Sequence, residues 1–225
     1  MSAFNVAIIV PVLNEIKQVH KLMERLRLLQ DDWVNEIILV DGGSTDGCDE
    51  LLKNEFKLIY SEKGRAKQMN AGAKMASSTW LFFLHADTQL SISHIKAAVD
   101  QSALHQWGRF NVRLSGGNFM FCIIERFINL RSFLTSVCTG DQTIFIRKKT
   151  FEKLNGFATI KLMEDVEISK RLKKHSKPLC IKNTVVTSSR RWQEYGIYKT
   201  IWLMWKLRFF YWCGIPADKL AKLYR

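Results

Sequence analysis

Short apolar runs alternate with longer amphipathic stretches through the first half of the chain. The runs are rich in β-branched or aromatic residues, which is typical of strands buried on both faces of a sheet. They cover residues 5–12, 36–41, 57–60 and 79–84. Helical stretches near residues 19–29, 64–73 and 91–104 separate them. This alternation predicts an α/β fold with a mostly parallel sheet and right-handed crossovers.

Pro11 lies near the end of the first predicted strand. A proline has no N–H to donate to the ladder of a sheet. We therefore expect strand pairing to stop at Pro11 and the backbone to turn into Asn14 and Glu15.

The pattern changes after residue 107. Residues 108–114 alternate polar and apolar side chains, as a half-exposed strand does. A polar triplet precedes another strand in residues 140–146, and a last β-branched run ends before residue 188. Further helices are predicted over residues 119–137, 148–154, 162–172 and 195–213.

Two of these helices, 119–137 and 195–213, are apolar but carry three charged residues each. A charge at the centre of a bilayer costs about 2.5–3.5 kcal/mol, so neither helix is expected to span a membrane. The aromatic and cationic helix 195–213 either packs on the domain or lies in a membrane interface. Together the two helices are the best indication of a membrane-facing side.

Polar residues stand where the fourth strand ends. The carboxyl ends of strands in an open α/β sheet are where ligands bind. On an extended backbone, His85 and Asp87 would face the same side, where both could contact a metal ion or a phosphate. The alternative is that Asp87 caps the helix that begins near Ser91.

Asp41 ends the second strand beside Gly42 and Gly43. Glycine permits a close backbone approach or a positive φ, so this turn suits the base or ribose edge of a nucleotide. The alternative is an ordinary turn in which one of residues 44–46 caps the next helix.

Two predicted helices begin with charged residues. Gly64, Arg65 and Lys67 open one helix, and cations there are locally unfavourable unless an anion such as a phosphate lies nearby. The alternative is a solvated face. Glu164 and Asp165 open another helix, where acidic residues are stabilising by themselves, so a catalytic role needs further support.

The composition is that of a folded protein, with 47% hydrophobic residues. An excess of 34 Lys and Arg over 21 Asp and Glu gives a net charge of +13, which favours anionic partners. Five scattered cysteines without a CxxC pair indicate buried thiols in a reducing compartment. Residues 1–5 lack the pattern of a signal peptide. We therefore expect a cytoplasmic protein, with peripheral contact at the inner face of the membrane as an option.

Five motifs follow one another along the chain. They are Val10-Pro-Val-Leu-Asn-Glu15, Val40-Asp-Gly-Gly-Ser-Thr-Asp-Gly47, Gly64-Arg-Ala with Asn70-Ala-Gly72, His85-Ala-Asp87 and Glu164-Asp165. Their order and content resemble the signature series of family 2 glycosyltransferases with the GT-A fold. More narrowly, residues 84–88, 140–142, 162–167 and 188–192 are similar to a bacterial subgroup labelled arsenosugar-biosynthesis glycosyltransferases.

The resemblance implies a single GT-A domain over residues 1–225, with a Rossmann-like sheet flanked by helices. Residues 1–106 would bind a nucleotide-diphosphate sugar, and residues 107–225 would form the acceptor half with its closing amphipathic helix. The implied reaction transfers the sugar, with inversion, to an acceptor hydroxyl on a lipid-linked or small molecule. The implied cofactor is Mn²⁺ or Mg²⁺, a UDP-sugar is the favoured donor, and no nucleic acid is expected as a partner.

The resemblance also implies roles for residues that would contact the nucleotide. Those expected at its base or ribose are Pro11, Asn14, Glu15, Asp41 and Gly43. Those expected near its phosphates are Gly64, Arg65 and Arg191. Arg191 and Trp192 resemble the end of the Gln-x-x-Arg-Trp motif of processive members, although Ser188 stands at the glutamine position.

The metal and the general base are implied in the same way. Asp87 fills the last position of the family's Asp-x-Asp motif and would hold the metal through the diphosphate. His85 stands at the first position, and a neutral imidazole suits Mn²⁺ better than Mg²⁺. Asp165, with Glu164 beside it, matches the family's general base. For inversion the base must lie opposite the leaving group, so it should come from a different segment than Asp87.

Two other classes of function stay open from the sequence. A sugar-phosphate nucleotidyltransferase would use a similar sheet with a Gly-rich loop after the first strand, but residues 12–15 contain no glycine. A basic module that binds nucleic acid or membrane without catalysis would explain the net charge. It would have no use for Asp41, Asp87 and Asp165 at the ends of strands and helices.

Overall fold

The structure, a computed structural model, describes residues 5–224. Met1 to Phe4, on which the expectation of a missing signal peptide largely rests, lie outside the described residues, as does Arg225. The strands are β1 Val6–Val12, β2 Glu36–Asp41, β3 Lys57–Tyr60, β4 Trp80–Phe83, β5 Trp107–Leu114, β6 Ile144–Arg147 and β7 Leu179–Thr187. The α-helices are α1 Val19–Arg27, α2 Cys48–Lys53, α3 Arg65–Met75, α4 Ile92–Gln101, α5 Phe119–Thr135, α6 Lys148–Lys153, α7 Glu164–His175, α8 Arg190–Tyr195, α9 Ile197–Trp212 and α10 Ala217–Leu223.

Within the described residues, the seven strands form one sheet in the order β3-β2-β1-β4-β6-β5-β7. The first four strands are parallel, as their alternation with helices predicts. Strand β6 is antiparallel to both β4 and β5, and Phe83 lies opposite Ile144. Because β6 runs backwards, the segment Gly140–Gln142 before it comes to the carboxyl end of β4.

Pro11 does not end the pairing of β1, contrary to the expectation. The strand stays paired with β2 as far as Val12, opposite Asp41. On its other side it pairs with β4 as far as Ile9, opposite Phe83. Alternate residues of a strand direct their backbone groups to opposite neighbours. Pro11, like Ile9, therefore faces the β4 side, beyond the end of that ladder, and its missing N–H costs no hydrogen bond.

The prediction of a half-exposed strand is wrong for the first half of β5, which is buried, and is confirmed for the second half, where Asn111 is half-buried and Arg113 is exposed. Arg109 is only 2% exposed. Its guanidinium donates to the backbone carbonyls of Phe110, at 3.3 Å, and Asn129 of α5, at 3.4 Å. The Asn129 side chain also bonds both backbone groups of Val112, each at 2.9 Å. The buried polar residue Arg109 of β5 thus faces polar groups of α5 and not solvent.

Helix α3 lies close against the sheet. A Cβ atom built at Gly72 would be 2.5 Å from the side chain of Ile9 and 3.0 Å from that of Val40. The absence of a side chain at Gly72 therefore sets the distance between α3 and strands β1 and β2. Nearby, Asn70 bonds the backbone of Phe157, through its Nδ2 at 2.8 Å and its Oδ1 at 2.9 Å, and joins α3 to the loop after α6.

The C-terminal segment differs from the single predicted helix over 195–213. Gly196, with a φ of 84°, separates α8 from α9, and the short helix α10 was not predicted. Helix α9 packs on the domain through Leu207, which is fully buried, while several of its aromatic side chains are exposed. Among the described residues, none of the helices combines the length and the apolar character that crossing a bilayer requires.

The cysteines are only partly buried. Cys48 and Cys138 are buried, as predicted, but Cys122 and Cys213 are exposed. Cys122 lies on the outer face of α5 and Cys213 directly follows α9. The expectation of buried thiols is wrong for these two because both lie along an apolar surface that is open to solvent.

Candidate active site

The loop after β2 folds around the carboxylate of Asp41, which is 1% exposed. Oδ2 of Asp41 accepts from the backbone N–H of Gly43 at 2.7 Å and of Ser44 at 2.9 Å. The Ser44 hydroxyl donates to Oδ1. Gly43 has a φ of 89°, which a glycine adopts without strain. Asp41 therefore shapes its own loop, and its contact with a nucleotide base stays a prediction.

The loops after β1 and β2 are joined by side chains 30 residues apart. The backbone N–H of Asn14 donates to Ser44 Oγ at 2.9 Å, and the side-chain Oδ1 of Asn14 accepts from the backbone N–H of Thr45 at 2.8 Å. Asp46 accepts from the backbone N–H of Ile16 at 2.9 Å and of Cys48, the first residue of α2, at 3.1 Å. We name Asn14, Asp41, Ser44, Thr45 and Asp46 the loop cluster.

Gln68 of α3 supports this edge of the sheet and was missed from the sequence. Its Nε2 donates to the carbonyl oxygens of Val12, at 2.7 Å, and Val40, at 2.8 Å. These carbonyls belong to β1 and β2, so Gln68 ties the ends of both strands together. A polar residue on the sheet-facing side of a predicted helix was the available signal.

The segment after β4 is a turn, so the expectation that His85 and Asp87 share one side of an extended backbone is wrong. The N–H of Thr88 donates to the carbonyl of His85 at 3.0 Å and closes the turn. Asp87 does not cap α4 either, because Ser91 occupies the N-cap position. In this turn His85 points to Asp141, whose Oδ1 lies 3.3 Å from its Nδ1.

Two carboxylates at the start of α7 meet the segment before β6. Glu164 is 3% exposed, and its Oε1 lies 3.4 Å from a guanidinium nitrogen of Arg65. Asp165 accepts from the backbone N–H of Gly140 at 2.8 Å and from that of Val166 at 2.7 Å. We name Asp141, Glu164 and Asp165, with Arg65 and His85, the carboxylate cluster.

Charges within the carboxylate cluster shift the pKa values of Glu164 and Asp141. Burial raises the pKa of Glu164 and the charge of Asp165 raises it further, while Arg65 acts in the opposite direction. Against the effect of burial, His85 and the charges of Arg65 and Arg208 hold the pKa of Asp141 below its ordinary value. Burial lowers the pKa of Arg208, and Asp165 and Asp141 oppose that shift. Arg208, on α9, was missed from the sequence.

Helices α9 and α10 hold the start of α7 in place. Met163, the N-cap of α7, has a φ of 67°, which is unfavourable for a residue with a side chain. Its buried side chain packs with Val166, with Leu207 of α9 and with Leu220 of α10. This packing keeps the strained residue, and the two carboxylates that follow it, in position.

A glycine makes room for the imidazole of His85. A Cβ atom built at Gly140 would be 2.2 Å from Nε2 and 2.3 Å from Cε1 of His85. The ring therefore lies directly against the backbone that also donates to Asp165. A cavity of about 10 Å³ remains here, lined by Met69, Phe83, His85, Gly140, Ile144, Phe157, Glu164 and Asp165.

A larger cavity, of about 370 Å³, lies where β2 and β3 begin, and none of the candidate site residues lines it. Because ligands of open α/β sheets bind at the carboxyl ends of the strands, we place the candidate site at the smaller cavity.

Asp87 has a different set of neighbours from His85. Burial raises the pKa of Glu15, and Asp87 and Asp46 raise it further, while Arg190 lowers it. Among the described residues, the one hydrogen bond to the Asp87 carboxylate is a long one, 3.5 Å, from the Thr88 hydroxyl. Residues 5–224 contain no group of three or more His, Cys, Asp or Glu side chains arranged to hold a metal ion.

The cations expected near phosphates have protein partners. Arg65 and Gly64 begin α3 as predicted, but Arg65 pairs with Glu164, and Lys67 pairs with Glu62. The unfavourable cations at this helix start are thus balanced by carboxylates.

Arg191 also has a protein partner. Its guanidinium donates to the carbonyl of Tyr224 at 2.7 Å and lies 3.7 Å from the centre of the Tyr224 ring. Its contact with a phosphate stays a prediction.

Residues 7–105 match a family model described as "Glycosyl transferase family 2". This part of the chain is similar to glycosyl transferase family 2 domains. It contains the loop cluster residues, Arg65, His85 and Asp87, whereas Glu164 and Asp165 lie beyond the matched range. The match agrees with the predicted class of enzyme, a glycosyltransferase. No curated protein matches the chain.

Solved structures share the fold of the chain. TarS 1–349 from S. aureus gives a TM-score of 0.62 at 19% identity, over 82% of this chain and 60% of that one. Its complex with UDP gives 0.64 at 18% identity, with the same coverage. The mannosyltransferase PcManGT from Pyrobaculum calidifontis, in complex with GDP-Man and Mn²⁺, gives 0.60 at 20% identity, over 80% of this chain and 56% of that one. The GT-A fold is confirmed, and the chain spans less than two thirds of each of these structures.

Proposed function

We propose that the protein transfers a sugar, with inversion, from a nucleotide-diphosphate sugar to a hydroxyl of an acceptor. The observation that carries this proposal is the position of Asp165. It lies at the carboxyl end of the sheet, in a cavity shared with Glu164 and His85, beside the part of the chain that is similar to glycosyl transferase family 2 domains. The narrower arsenosugar subgroup stays a prediction.

Asp165 is the proposed general base. An acceptor hydroxyl is a weak nucleophile until a carboxylate within hydrogen-bond reach takes its proton. The N–H groups of Gly140 and Val166 each donate to one Asp165 oxygen and fix the carboxylate plane. Each oxygen keeps a second lone pair for an acceptor O–H. Glu164 acts beside it by orienting Arg65.

Cationic side chains are proposed to bind the diphosphate end of the donor. Arg65 at the start of α3 is half-exposed and is the proposed phosphate contact, together with the N–H groups that follow Gly64. Arg191 is proposed as a second contact, which requires that it leave Tyr224. Positive charge here stabilises the negative charge that develops as the diphosphate departs.

The residues around Asp87 fit a divalent cation. Its carboxylate oxygens are almost unused, and Glu15 is near enough for the charge of Asp87 to raise its pKa. Mg²⁺ and Mn²⁺ accept a site of one or two carboxylates completed by substrate phosphates, so Asp87 would hold the metal. When bound, the ion supplies charge neutralisation of the diphosphate. The part of His85 as a further ligand is a weaker proposal, since its Nδ1 faces Asp141 and its Nε2 faces Gly140.

The donor class is proposed from the fold neighbours and the loop cluster. TarS was solved with UDP-GlcNAc and PcManGT with GDP-Man and Mn²⁺, which supports a nucleotide-diphosphate sugar. A UDP-sugar remains the favoured donor, with Mn²⁺ or Mg²⁺ as the cofactor. Pro11, Asn14, Glu15, Asp41 and Gly43 are the proposed contacts to the base and ribose.

A thermal-shift series with UDP and GDP, each with and without Mn²⁺ or Mg²⁺, tests the donor site. A nucleotide at 100 times its Kd should add about 2.7 kcal/mol to the free energy of unfolding. Transfer is then followed by release of the nucleoside diphosphate, and the anomeric configuration of the product tests inversion. Formation of pyrophosphate from a nucleoside triphosphate and a sugar phosphate would instead show a nucleotidyltransferase.

A further inference from the structure

Helices α5 and α9 meet at one hydrophobic cluster, and each exposes a row of apolar side chains. Ile124 of α5 packs in one hydrophobic cluster with Ile197 and Ile201 of α9. Further along, burial lowers the pKa of Arg131 on α5, and the charge of Arg208 on α9 lowers it further. We name the outward side chains of the pair the aromatic face. They are Phe119, Phe127, Leu130, Phe133, Leu134, Tyr198, Trp202, Trp205, Phe209 and Trp212.

The exposure of the aromatic face is not explained by packing within the described chain. Its ten side chains are each between 55% and 77% exposed, although Leu207 on the opposite side of α9 is fully buried. Single exposed apolar residues are ordinary, but a large apolar patch on neighbouring elements marks a site of interaction. Trp202, Trp205 and Trp212 place three of the seven tryptophans of the chain on this surface.

The exposed charged residues on α5 and α9 have one sign. Lys199 and Lys206 are exposed on α9, which contains no acidic residue, and Arg126 is exposed on α5. The single carboxylate of α5, Glu125, is turned inward and accepts from the backbone N–H of Leu114 at 2.7 Å. The surface is therefore apolar and aromatic with a cationic border.

We propose that the aromatic face docks on an anionic lipid bilayer, with α5 and α9 lying in the headgroup region. Trp and Tyr prefer this depth because their rings are apolar with one polar end. The lysines and Arg126 match the negative surface potential of anionic lipids. A protein partner of ordinary polarity would leave these cations without matching charge, whereas anionic headgroups supply it along the whole border. This inference rests on the surface alone and is independent of the proposed reaction.

Co-sedimentation of the full chain with lipid vesicles tests the proposal. Vesicles of phosphatidylcholine are compared with vesicles that also contain phosphatidylglycerol. We expect binding to the anionic vesicles, a shift of tryptophan fluorescence to shorter wavelength, and loss of binding as salt rises. Absence of binding to anionic vesicles at low salt would overturn the proposal.

Paired variants test which surface binds. Trp202→Ser combined with Trp205→Ser should lower the partition coefficient by at least about tenfold. The control Leu104→Ser removes a side chain that is 92% exposed beyond α4, and its partition should equal that of the wild type. Lys199→Gln combined with Lys206→Gln should weaken binding to anionic vesicles only. Equal binding of the tryptophan variant and the wild type would contradict the proposal.

Two further measurements distinguish lipid binding from misfolding and from self-association. Circular dichroism checks that each variant is folded, and Phe133→Ser on α5 replaces the tryptophan pair if that variant unfolds. Sedimentation velocity reports the oligomeric state without lipid. A dimer that the tryptophan variant abolishes would assign the aromatic face to a second copy of the chain and overturn the lipid proposal. The thermal shift with nucleotide should be the same in all folded variants.

Discussion

The loop cluster and the carboxylate cluster lie at the same edge of the sheet but balance their charges differently. Asp41 is satisfied by N–H and hydroxyl groups two or three residues away in its own loop. Glu164 and Asp165 depend on groups that the fold brings from elsewhere, such as Arg65 of α3 and the N–H of Gly140. The Asp41 carboxylate is thus satisfied within its own loop, whereas the carboxylates of the second cluster depend on tertiary structure.

This difference suits the two clusters to different tasks: the loop cluster holds its loops in place, and the carboxylate cluster is available for chemistry. Asp41 accepts three hydrogen bonds from its own loop, so fewer of its lone pairs stay free for a ligand than in Asp165, which accepts two. Carboxylates that crowd one another, and so raise the pKa of one member, are common where chemistry takes place. We therefore expect changes in the carboxylate cluster to affect turnover and changes in the loop cluster to affect stability first.

Asp165→Asn should have the largest effect. The amide cannot accept the proton of the acceptor hydroxyl, so turnover should fall by about 10²–10⁴-fold. The thermal shift with nucleotide should stay at the wild-type value, because Asp165 is not among the proposed donor contacts. Steady-state transfer kinetics measure the first quantity. Unchanged turnover would show that the base is another group.

Gly140→Ala should have the next largest effect on turnover. The added Cβ would overlap the His85 ring, so His85 must move and the N–H that orients Asp165 shifts with the backbone. A displacement of about 1 Å can cost about 10²-fold in rate. Gly117→Ala is the control, since a Cβ there meets nothing within 4 Å. Equal loss in both variants would indicate a general effect on folding.

Asp41→Ala should mainly reduce stability. It leaves the N–H groups of Gly43 and Ser44 without their acceptor, at a cost of about 1–3 kcal/mol in the free energy of unfolding. Urea denaturation measures this loss, and Ser44→Ala should show a smaller one because the backbone bonds remain. A stable Asp41→Ala variant with weakened nucleotide binding would instead support the base contact.

Glu164→Gln should have the smallest effect, visible in its pH dependence. The folded-state pKa of Glu164 is raised by burial and by Asp165 above the ordinary 4.5. The protonated side chain therefore favours the folded state below about pH 4.5, and this contribution is lost as pH rises through the raised pKa. Glutamine stays neutral, so the stability of the variant relative to the wild type should rise with pH above 4.5. A constant difference across pH would contradict the charge argument.

The parts of the fold that depend on local pattern could be predicted. Strands β2 and β3 have the predicted bounds, because each is a short apolar run that begins with a charged residue. The exposure of the first half of β5 was predicted wrongly, since the polar residue Arg109 is covered by α5, some 20 residues away. The helix α10 was missed because its short pattern is weak.

In the candidate site, too, single residues could be predicted from the sequence but the contacts between distant segments could not. Asp41, His85 and Asp165 were recognisable as polar residues at the ends of predicted elements. The contact of His85 with Gly140 requires the antiparallel position of β6, and the approach of Arg208 to Asp165 requires the packing of α9. Neither follows from spacing in the sequence, because both depend on contacts between distant segments.

The hydrogen bonds between Asn14 and the Ser44–Thr45 pair have a consequence for protein engineering. The turn after β2 looks, by its sequence alone, like a module that could be exchanged between related proteins. Here half of its framework is encoded thirty positions earlier, so a graft that moves only residues 41–47 would arrive without its support. A successful transplant has to carry both loops as one unit.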